Sequence, residues 1–220
     1  MGVLRRRVSH TFAALAATEL ALAPPARAAG DSGPTPLTES RARPPPRGQS
    51  YLQYGVAFTV EGVVSAGPIC SESVNPCILG SGAGIAIRVG WRLTEDFYLG
   101  GAYEFSKQDP SQLYRLGILQ QARCELRHYF PNGHSTAPFA VAGLGLAAYG
   151  NEWMVDTWGP AGVLGGGVEV ELSGKTTVGL SVGYRPVYLH AFVDSSTLSH
   201  QAGIAHFIGL ELALEAQDAL

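Results

Sequence analysis

Six arginines and six glutamates recur at alternate positions within stretches that otherwise hold small or apolar residues. Residues of these two types form ion pairs, and inside a protein they must, because an isolated buried charge suffers a large desolvation penalty. Because cations and anions are equal in number, we predict a neutral ion network. The sequence offers no motif that predicts a metal or a cofactor. The predicted members are Arg88, Arg92, Arg115, Arg123, Arg127, Arg185, Glu61, Glu104, Glu125, Glu169, Glu171 and Glu211.

The stretch GAGIAIRVGWRL, residues 82–93, shows which element positions such charges. Its odd-numbered residues include Ile85, Ile87 and Trp91, while its even-numbered residues are glycine, alanine or arginine. Successive side chains of a β-strand point to opposite faces. The stretch therefore predicts a strand that lies between two different environments.

The same period of two recurs in eight segments of the chain. Short connections after the second, fourth and sixth segments alternate with longer or less regular ones, which is typical of an up-and-down barrel in an outer membrane. We therefore predict an all-β fold, an eight-stranded antiparallel up-and-down transmembrane β-barrel. Its strands are predicted at about 51–63, 82–94, 97–107, 113–130, 138–149, 160–173, 176–189 and 202–215.

The volume inside such a barrel decides which face is buried. Eight strands enclose room for small to medium side chains only. The large apolar faces would overfill that space, whereas glycine, alanine and serine leave room for arginine side chains to cross the axis. We therefore expect the apolar faces to contact lipid and the charged residues to plug the lumen.

With this pattern, residues 51–214 resemble the OmpA-like and opacity-type eight-stranded outer-membrane β-barrels of Gram-negative bacteria. Aromatic residues near strand ends resemble the two girdles of such barrels: Trp91, Phe97 and Phe130 at the short-turn ends, and Tyr103, Phe105, Tyr114, Tyr184 and Tyr188 at the loop ends. The resemblance implies a monomer in the outer membrane that contacts membrane lipid and lipopolysaccharide. It also implies a non-enzymatic role in envelope integrity or in surface interaction through the loops.

The first part of the chain predicts export. Three consecutive arginines precede an apolar run over residues 12–23 and the small-x-small sequence Ala26-Arg27-Ala28, so residues 1–28 are predicted to be a signal peptide. An amphipathic helix or a mitochondrial presequence is the alternative. Residues 29–50 are rich in proline and are predicted to be a disordered leader, residues 51–215 the barrel, and residues 216–220 a C-terminal tail.

Composition excludes other classes of protein. The net charge is −3 with no basic patch, so nucleic-acid binding has no support. Beyond the predicted signal peptide, no run of about 18 uncharged apolar residues indicates a transmembrane helix.

The three cysteines fall into two groups. Cys70 and Cys77 lie in the longest predicted loop, and an oxidising compartment would join them in a disulfide, with metal binding by two thiols as the alternative. Cys124 falls on the apolar face of the fourth segment and is predicted to be a small lipid-facing residue.

Two loop segments could carry a further function. Trp153, Met154 and Trp158 are predicted to form an apolar tip, either as a contact surface for an unknown partner or as residues that rest in the lipopolysaccharide headgroup zone. In the last loop His190, Asp194 and His200 could hold a metal ion, but we predict solvated loop residues.

Two other classes of function remain as alternatives. A lipid-modifying barrel enzyme of the lipid A deacylase type would use His206 with a serine of a neighbouring strand on the lipid-facing surface. A soluble exported calyx would instead bind an apolar ligand inside the barrel.

Overall fold

The computed structural model describes residues 50–70, 77–109, 116–130, 135–151, 154–194 and 197–219. The predicted signal peptide and the predicted leader up to residue 49 lie outside the described residues.

Eight long strands are present, as the alternation of side chains predicts. Two short strands and a short 3₁₀ turn, Gly67–Ile69, lie in the connections. The strands are β1 Tyr51–Ser65, β2 Ser81–Arg92, β3 Phe97–Asp109, β4 Gly117–Tyr129, β5 Thr136–Asn151, β6 Thr157–Ser173, β7 Thr176–Leu189, β8 Phe192–Val193, β9 Ser199–His200 and β10 Gly203–Ala219. The described residues contain no helix with the length and apolarity needed to cross a bilayer.

The long strands form one closed antiparallel barrel in the order β1-β10-β7-β6-β5-β4-β3-β2. Each strand therefore pairs with its neighbour in the chain, and β10 closes the barrel against β1. We call the end that holds the turns after β2, β4 and β6 the turn end, and the opposite end the loop end. The hairpin β8-β9 lies in the last connection at the loop end.

The two faces of each strand have the predicted environments. On β2 the outward Ile87 is 58% exposed, whereas its inward neighbour Arg88 is 5% exposed. Leu180 and Leu212, paired on β7 and β10, are likewise exposed. The outer surface of the barrel is therefore apolar and the charged side chains lie inside.

Two strand ends differ from the sequence expectation by four residues, and the other ends differ by less. β10 continues through Ala219, beyond the predicted end at residue 215, because Gln217 pairs with Gln53 and Ala219 with Tyr51 in register with β1. β4 begins at Gly117 rather than near residue 113, and residues 110–115 lie outside the described part of the chain.

Glycine provides close approach at two places in the lumen. A Cβ atom added to Gly100 would lie 2.2 Å from the Tyr98 hydroxyl oxygen, so the tyrosine ring needs this glycine beneath it. A Cβ at Gly209 would lie 3.0 Å from Cζ of Arg185. These contacts match the predicted use of glycine, which is to let long side chains extend across a narrow barrel.

Candidate functional site

The centre of the lumen holds an ion network that Arg123 connects. Its Nη1 donates to Glu104 Oε2 at 2.8 Å and its Nε donates to Glu125 Oε1 at 2.7 Å. All three side chains are buried. The pairs join β4 to β3 and also link two residues of β4 that share its inward face. A guanidinium with hydrogen bonds to two carboxylates fits the requirement that buried ions have partners.

The network continues across the barrel through three further arginines. Arg88 donates from Nε to Glu125 at 3.1 Å and contacts Glu211 through Nη2. Arg127 donates from both terminal nitrogens to Glu215, at 3.1 Å each. Arg185 of β7 donates to Glu104 at 2.5 Å and to Glu211 at 3.3 Å. Side chains from several strands therefore meet at the barrel axis.

A second group of polar side chains fills the turn end of the lumen. Arg92 donates to Glu169 at 2.9 Å, and its guanidinium lies 3.9 Å from the centre of the Tyr129 ring. The Tyr129 hydroxyl donates to the same glutamate at 3.0 Å, and Gln53 donates to it at 3.3 Å. This end of the lumen is thus closed by an ion pair stacked on an aromatic ring.

The structure brings together all but two of the predicted network residues. Arg115 lies outside the described residues, and Glu171 is half-buried at the turn end with no arginine within 4 Å among the described residues. Glu215 belongs to the network although it was not predicted. Its position four residues after Glu211 on the same face was the signal that could have identified it.

A small cavity separates the ion network from the wall formed by β5, β6 and β7. Its volume is about 20 Å³, and its lining includes Arg88, Arg123, Arg185, Val163 and Ser181. A space of this size holds about one water molecule. Among the described residues, the lumen at this level is therefore filled by side chains rather than by a continuous channel.

Apolar residues close the loop end of the lumen, a feature that the sequence analysis missed. Loop residues Ile69, Ile78 and Leu79 are buried there against inward residues of the strands, and Tyr149 donates a hydrogen bond to the Ile78 carbonyl at 2.5 Å. We call this cluster the loop-end plug. Its other main members are Leu119, Ala147, Ala161, Val187, Leu189, Phe192, Ala205 and Phe207. The apolar inward residues at the loop end of β5 were the available signal.

Two contacts fasten the loops over the loop-end plug. A disulfide joins Cys70 and Cys77, which confirms the predicted bond. His200 lies with Nε2 3.0 Å from Asp194 Oδ2 and with Nδ1 3.3 Å from the Ile69 carbonyl oxygen. Both members of the His200–Asp194 pair are buried, so the prediction of solvated loop residues is wrong for them, because the last loop folds inward over the plug.

The third residue of that predicted group lies apart from the other two. His190 is exposed, and its ring packs 5.1 Å from that of Trp158. Its Nδ1 is 2.6 Å from the Trp158 carbonyl oxygen. Among the described residues no group of three or more histidine, cysteine, aspartate or glutamate side chains could hold a metal ion.

Loss of the disulfide should destabilise the barrel. Replacing Cys70 and Cys77 by serine removes the closure of an eight-residue ring, and the chain-entropy model assigns such a ring about 2.5 kcal/mol. The free energy of unfolding can be measured by denaturant titration in micelles. Cys124→Ser is the control, because this free cysteine lies exposed on the outer face. Equal stability of all three proteins would contradict the fastening role of the disulfide.

The predicted loop contact surface is only partly described. Met154 is 73% exposed and Trp158 is 56% exposed, while Trp153 lies outside the described residues. Val155 is also exposed between them. The described part of this surface is therefore an apolar projection at the loop end of β5 and β6.

His206 lies on the outer face near the loop end. Its Nδ1 is 2.5 Å from the Tyr184 hydroxyl, and the two rings are stacked. Ser65 of β1 is its partner in the strand register. Among the described hydrogen bonds, none joins the Ser65 hydroxyl to the imidazole; the hydroxyl instead accepts from the Gly67 amide at 3.4 Å.

No protein-family model matches the sequence, and no curated protein matches it. Among solved structures the chain is similar to the Neisserial surface protein A, with 16% identity and a TM-score of 0.49 over 76% of this chain and 96% of that one. It is also similar to OprG from Pseudomonas aeruginosa, with 11% identity and a TM-score of 0.48 over 79% and 98%. A third is AlkL, with 11% identity and a TM-score of 0.47 over 91% and 98%. From its own strand order, this chain is a closed, antiparallel, eight-stranded β-barrel.

Proposed function

We propose that this protein is a non-enzymatic outer-membrane barrel with a plugged lumen, which serves envelope integrity or surface interaction through its loops. The observation that carries the proposal is the combination of an apolar exterior with a charged, closed interior. The barrel alone would fit many roles. The apolar exterior favours a membrane as the surroundings of the barrel, and the charged, closed interior argues against transport through the lumen.

The exterior supports a position in a membrane. Large apolar side chains such as Phe58, Ile87, Leu144, Leu180 and Leu212 point outward at 52–78% exposure from strands all around the barrel. A soluble monomer rarely exposes a contiguous apolar patch above a few hundred Å². In lipid every backbone polar group needs an internal partner, and a closed barrel meets that condition. A soluble calyx would instead need its large apolar side chains inside.

Aromatic residues at both ends support the same position. Trp91, Phe97 and Phe130 are exposed at the turn end, and Tyr103 and Tyr184 are exposed toward the loop end. Of the other predicted loop-end aromatic residues, Phe105 and Tyr188 are half-buried and Tyr114 lies outside the described residues. Aromatic side chains are enriched at the two interfaces between a membrane and water. Two such groups on one barrel are consistent with a band of hydrocarbon between them.

The closed lumen favours a role for the loops over a role as a pore. The ion network occupies the centre of the lumen, and the loop-end plug lies above it. What remains accessible is the loop end, where Met154 and Trp158 project. We infer that this surface contacts lipopolysaccharide or an unknown surface partner, and that the protein acts as a monomer.

Planar bilayer recording tests this proposal directly. The wild-type protein should show little or no steady conductance, because paired side chains occupy the axis and apolar residues cover the loop end. A large, stable and ion-selective conductance would mean that the lumen is water-filled and would contradict the proposal that side chains plug it. Cell fractionation is the parallel test, since extraction without detergent would contradict a membrane position.

The orientation of the barrel in the membrane gives a separate expected outcome. The turn Gly174–Lys175 lies at the turn end, and the Cys70–Cys77 loop lies at the loop end. In outer-membrane barrels the short turns face the periplasm and the longer loops face outward. An epitope inserted after Gly174 should be labelled only in permeabilised cells, whereas one inserted in the 71–76 segment should be labelled on intact cells. Labelling of the Gly174 epitope on intact cells would contradict this orientation.

One arrangement favours the lipid-modifying alternative. Ser65 and His206 are register partners on the outer face, and a serine beside a histidine is the pairing that nucleophilic hydrolysis uses. The Tyr184 hydroxyl contacts Nδ1 of His206. In catalytic triads a carboxylate hydrogen-bonds to this nitrogen and orients the ring. Hydrolysis of lipid acyl chains that is lost in His206→Ala would favour the enzyme over our proposal.

A further inference from the structure

The described lumen does not balance its charges. Its buried ions are five arginines and six glutamates, so one negative charge is in excess. The arginines are Arg88, Arg92, Arg123, Arg127 and Arg185, and the glutamates are Glu61, Glu104, Glu125, Glu169, Glu211 and Glu215. Because a buried charge without compensation is costly, the excess is neutralised either by a bound proton or by a further cation. The same excess makes the small mid-lumen cavity a poor site for an anion, although arginines line it.

The geometry identifies Glu61 as the carboxylate in excess. Each of the other buried glutamates of the lumen has a described guanidinium nitrogen within hydrogen-bond distance. The nearest to Glu61 is Nη1 of Arg185, which is 3.6 Å from Oε2, while that same nitrogen donates to Glu104 at 2.5 Å. Glu61 Oε1 accepts from the Ser106 hydroxyl at 2.5 Å and from the Gln108 amide, both neutral groups.

Three buried oxygen atoms on this level of the lumen have no hydrogen-bond partner among the described residues. They are Glu61 Oε2, Gln108 Oε1 and Thr59 Oγ1. Gln108 bonds to Glu61 directly, and Thr59 lies two residues before it on the same inward face of β1. Gly82 leaves room for this arrangement, because a Cβ there would lie 2.6 Å from Gln108 Nε2. The residues on this level are at most 2% exposed.

We propose that Thr59, Glu61 and Gln108 form a site for one monovalent cation of the sodium class. Carboxylate, amide and hydroxyl oxygens are the ligands of hard cations. A single positive charge balances the described lumen, whereas a divalent ion would reverse the imbalance. The site lies between the central ion network and the loop-end plug, and it does not depend on the proposed role of the loops.

Thermal unfolding in different salts tests the site. The full chain, purified in neutral detergent, is heated in sodium chloride and in choline chloride at the same ionic strength and pH, because choline is too large for the site. Unfolding is followed by the loss of β-sheet circular dichroism. The melting temperature should be higher in sodium by about 2–4 °C, since a ligand that binds only the folded state stabilises it.

Single-residue variants test whether the sodium dependence of the melting temperature arises at the proposed site. Glu61→Gln keeps the shape of the side chain and removes its charge, and Thr59→Val removes a hydroxyl at nearly constant volume; both should lose the dependence on sodium. Thr177→Val is the matched control, because Thr177 is also buried and inward with an unpartnered hydroxyl within the described structure, but lies near the turn end of β7. It should keep the full dependence on sodium.

Two results would overturn the inference. Equal melting temperatures of the wild type in the two salts would show that a proton or a protein cation neutralises Glu61. A dependence that persists in Glu61→Gln would show an adventitious surface effect. In the first case, a dependence that then appears in Arg115→Gln would assign the compensating charge to Arg115, which lies outside the described residues.

Discussion

Replacing Arg123 by alanine should lower the free energy of unfolding by about 3–5 kcal/mol, which is the typical cost of breaking a buried ion pair by removing one partner. Arg123 donates to Glu104 and to Glu125, and both carboxylates are buried in the centre of the lumen. Without this guanidinium each carboxylate keeps a single described arginine with a hydrogen bond to it, Arg185 or Arg88. Urea titration of the refolded protein in micelles measures the change.

A surface ion pair provides the control for Arg123→Ala. Lys175 Nζ lies 3.7 Å from Asp218, and the lysine side chain is 80% exposed. Because exposed pairs contribute about 0–1 kcal/mol, Lys175→Ala should have little effect. Equal losses for the two variants would contradict a dry, charged lumen.

A double variant separates pairing from simple loss of packing. Arg123→Ala combined with Glu104→Leu should cost less than the sum of the two single changes, because each single change deprives the remaining buried charge of one charge-assisted hydrogen bond, and the second change removes that charge. In planar bilayers the Arg123→Ala variant should also show brief openings that the wild type does not show. Additive losses would mean that the two side chains do not interact in the folded barrel.

Replacing Leu180 by arginine should cost about 2–4 kcal/mol, the range for a cation placed on the lipid face near the midplane of a membrane barrel. Leu180 points outward from the middle of β7 and is 52% exposed, and its register partners Leu212 and Val168 point outward as well. Ile87→Arg on β2 should have a similar cost, since Ile87 is also outward and exposed. Folding titrations into lipid vesicles measure both.

The neighbouring residue provides the control for Leu180→Arg. Ser181 points into the lumen and lines the small cavity beside the ion network. Ser181→Asn places a polar group among polar groups and should be tolerated better than arginine at position 180. Comparable losses at the two positions would show that the two faces of β7 do not differ in environment, and the position in a membrane would then lose its main support.

The strands and their orientation could be predicted from the sequence because a strand places side chains on alternate faces. Ile87 and Arg88 are adjacent in the sequence, yet the side chain of Ile87 lies outside the barrel and that of Arg88 lies inside. A register shift of one residue would exchange the two faces. The choice of inside and outside followed from volume, since eight strands leave too little room for the large apolar face. The Cys70–Cys77 bond followed from proximity within one loop and an oxidising compartment.

Only the tertiary structure decided which ions pair and what closes the loop end. Arg127 and Glu215 are 88 residues apart, and they meet because barrel closure and strand stagger bring β4 and β10 side chains to one level of the axis. Alternation gives the face of a residue but not its height relative to distant strands. Loop residues such as Ile69 and Ile78 follow no such period, so their burial in the loop-end plug depended on how the loops fold over the barrel. The contact of His200 with Asp194 could not be predicted for the same reason, because it also depends on how a loop folds.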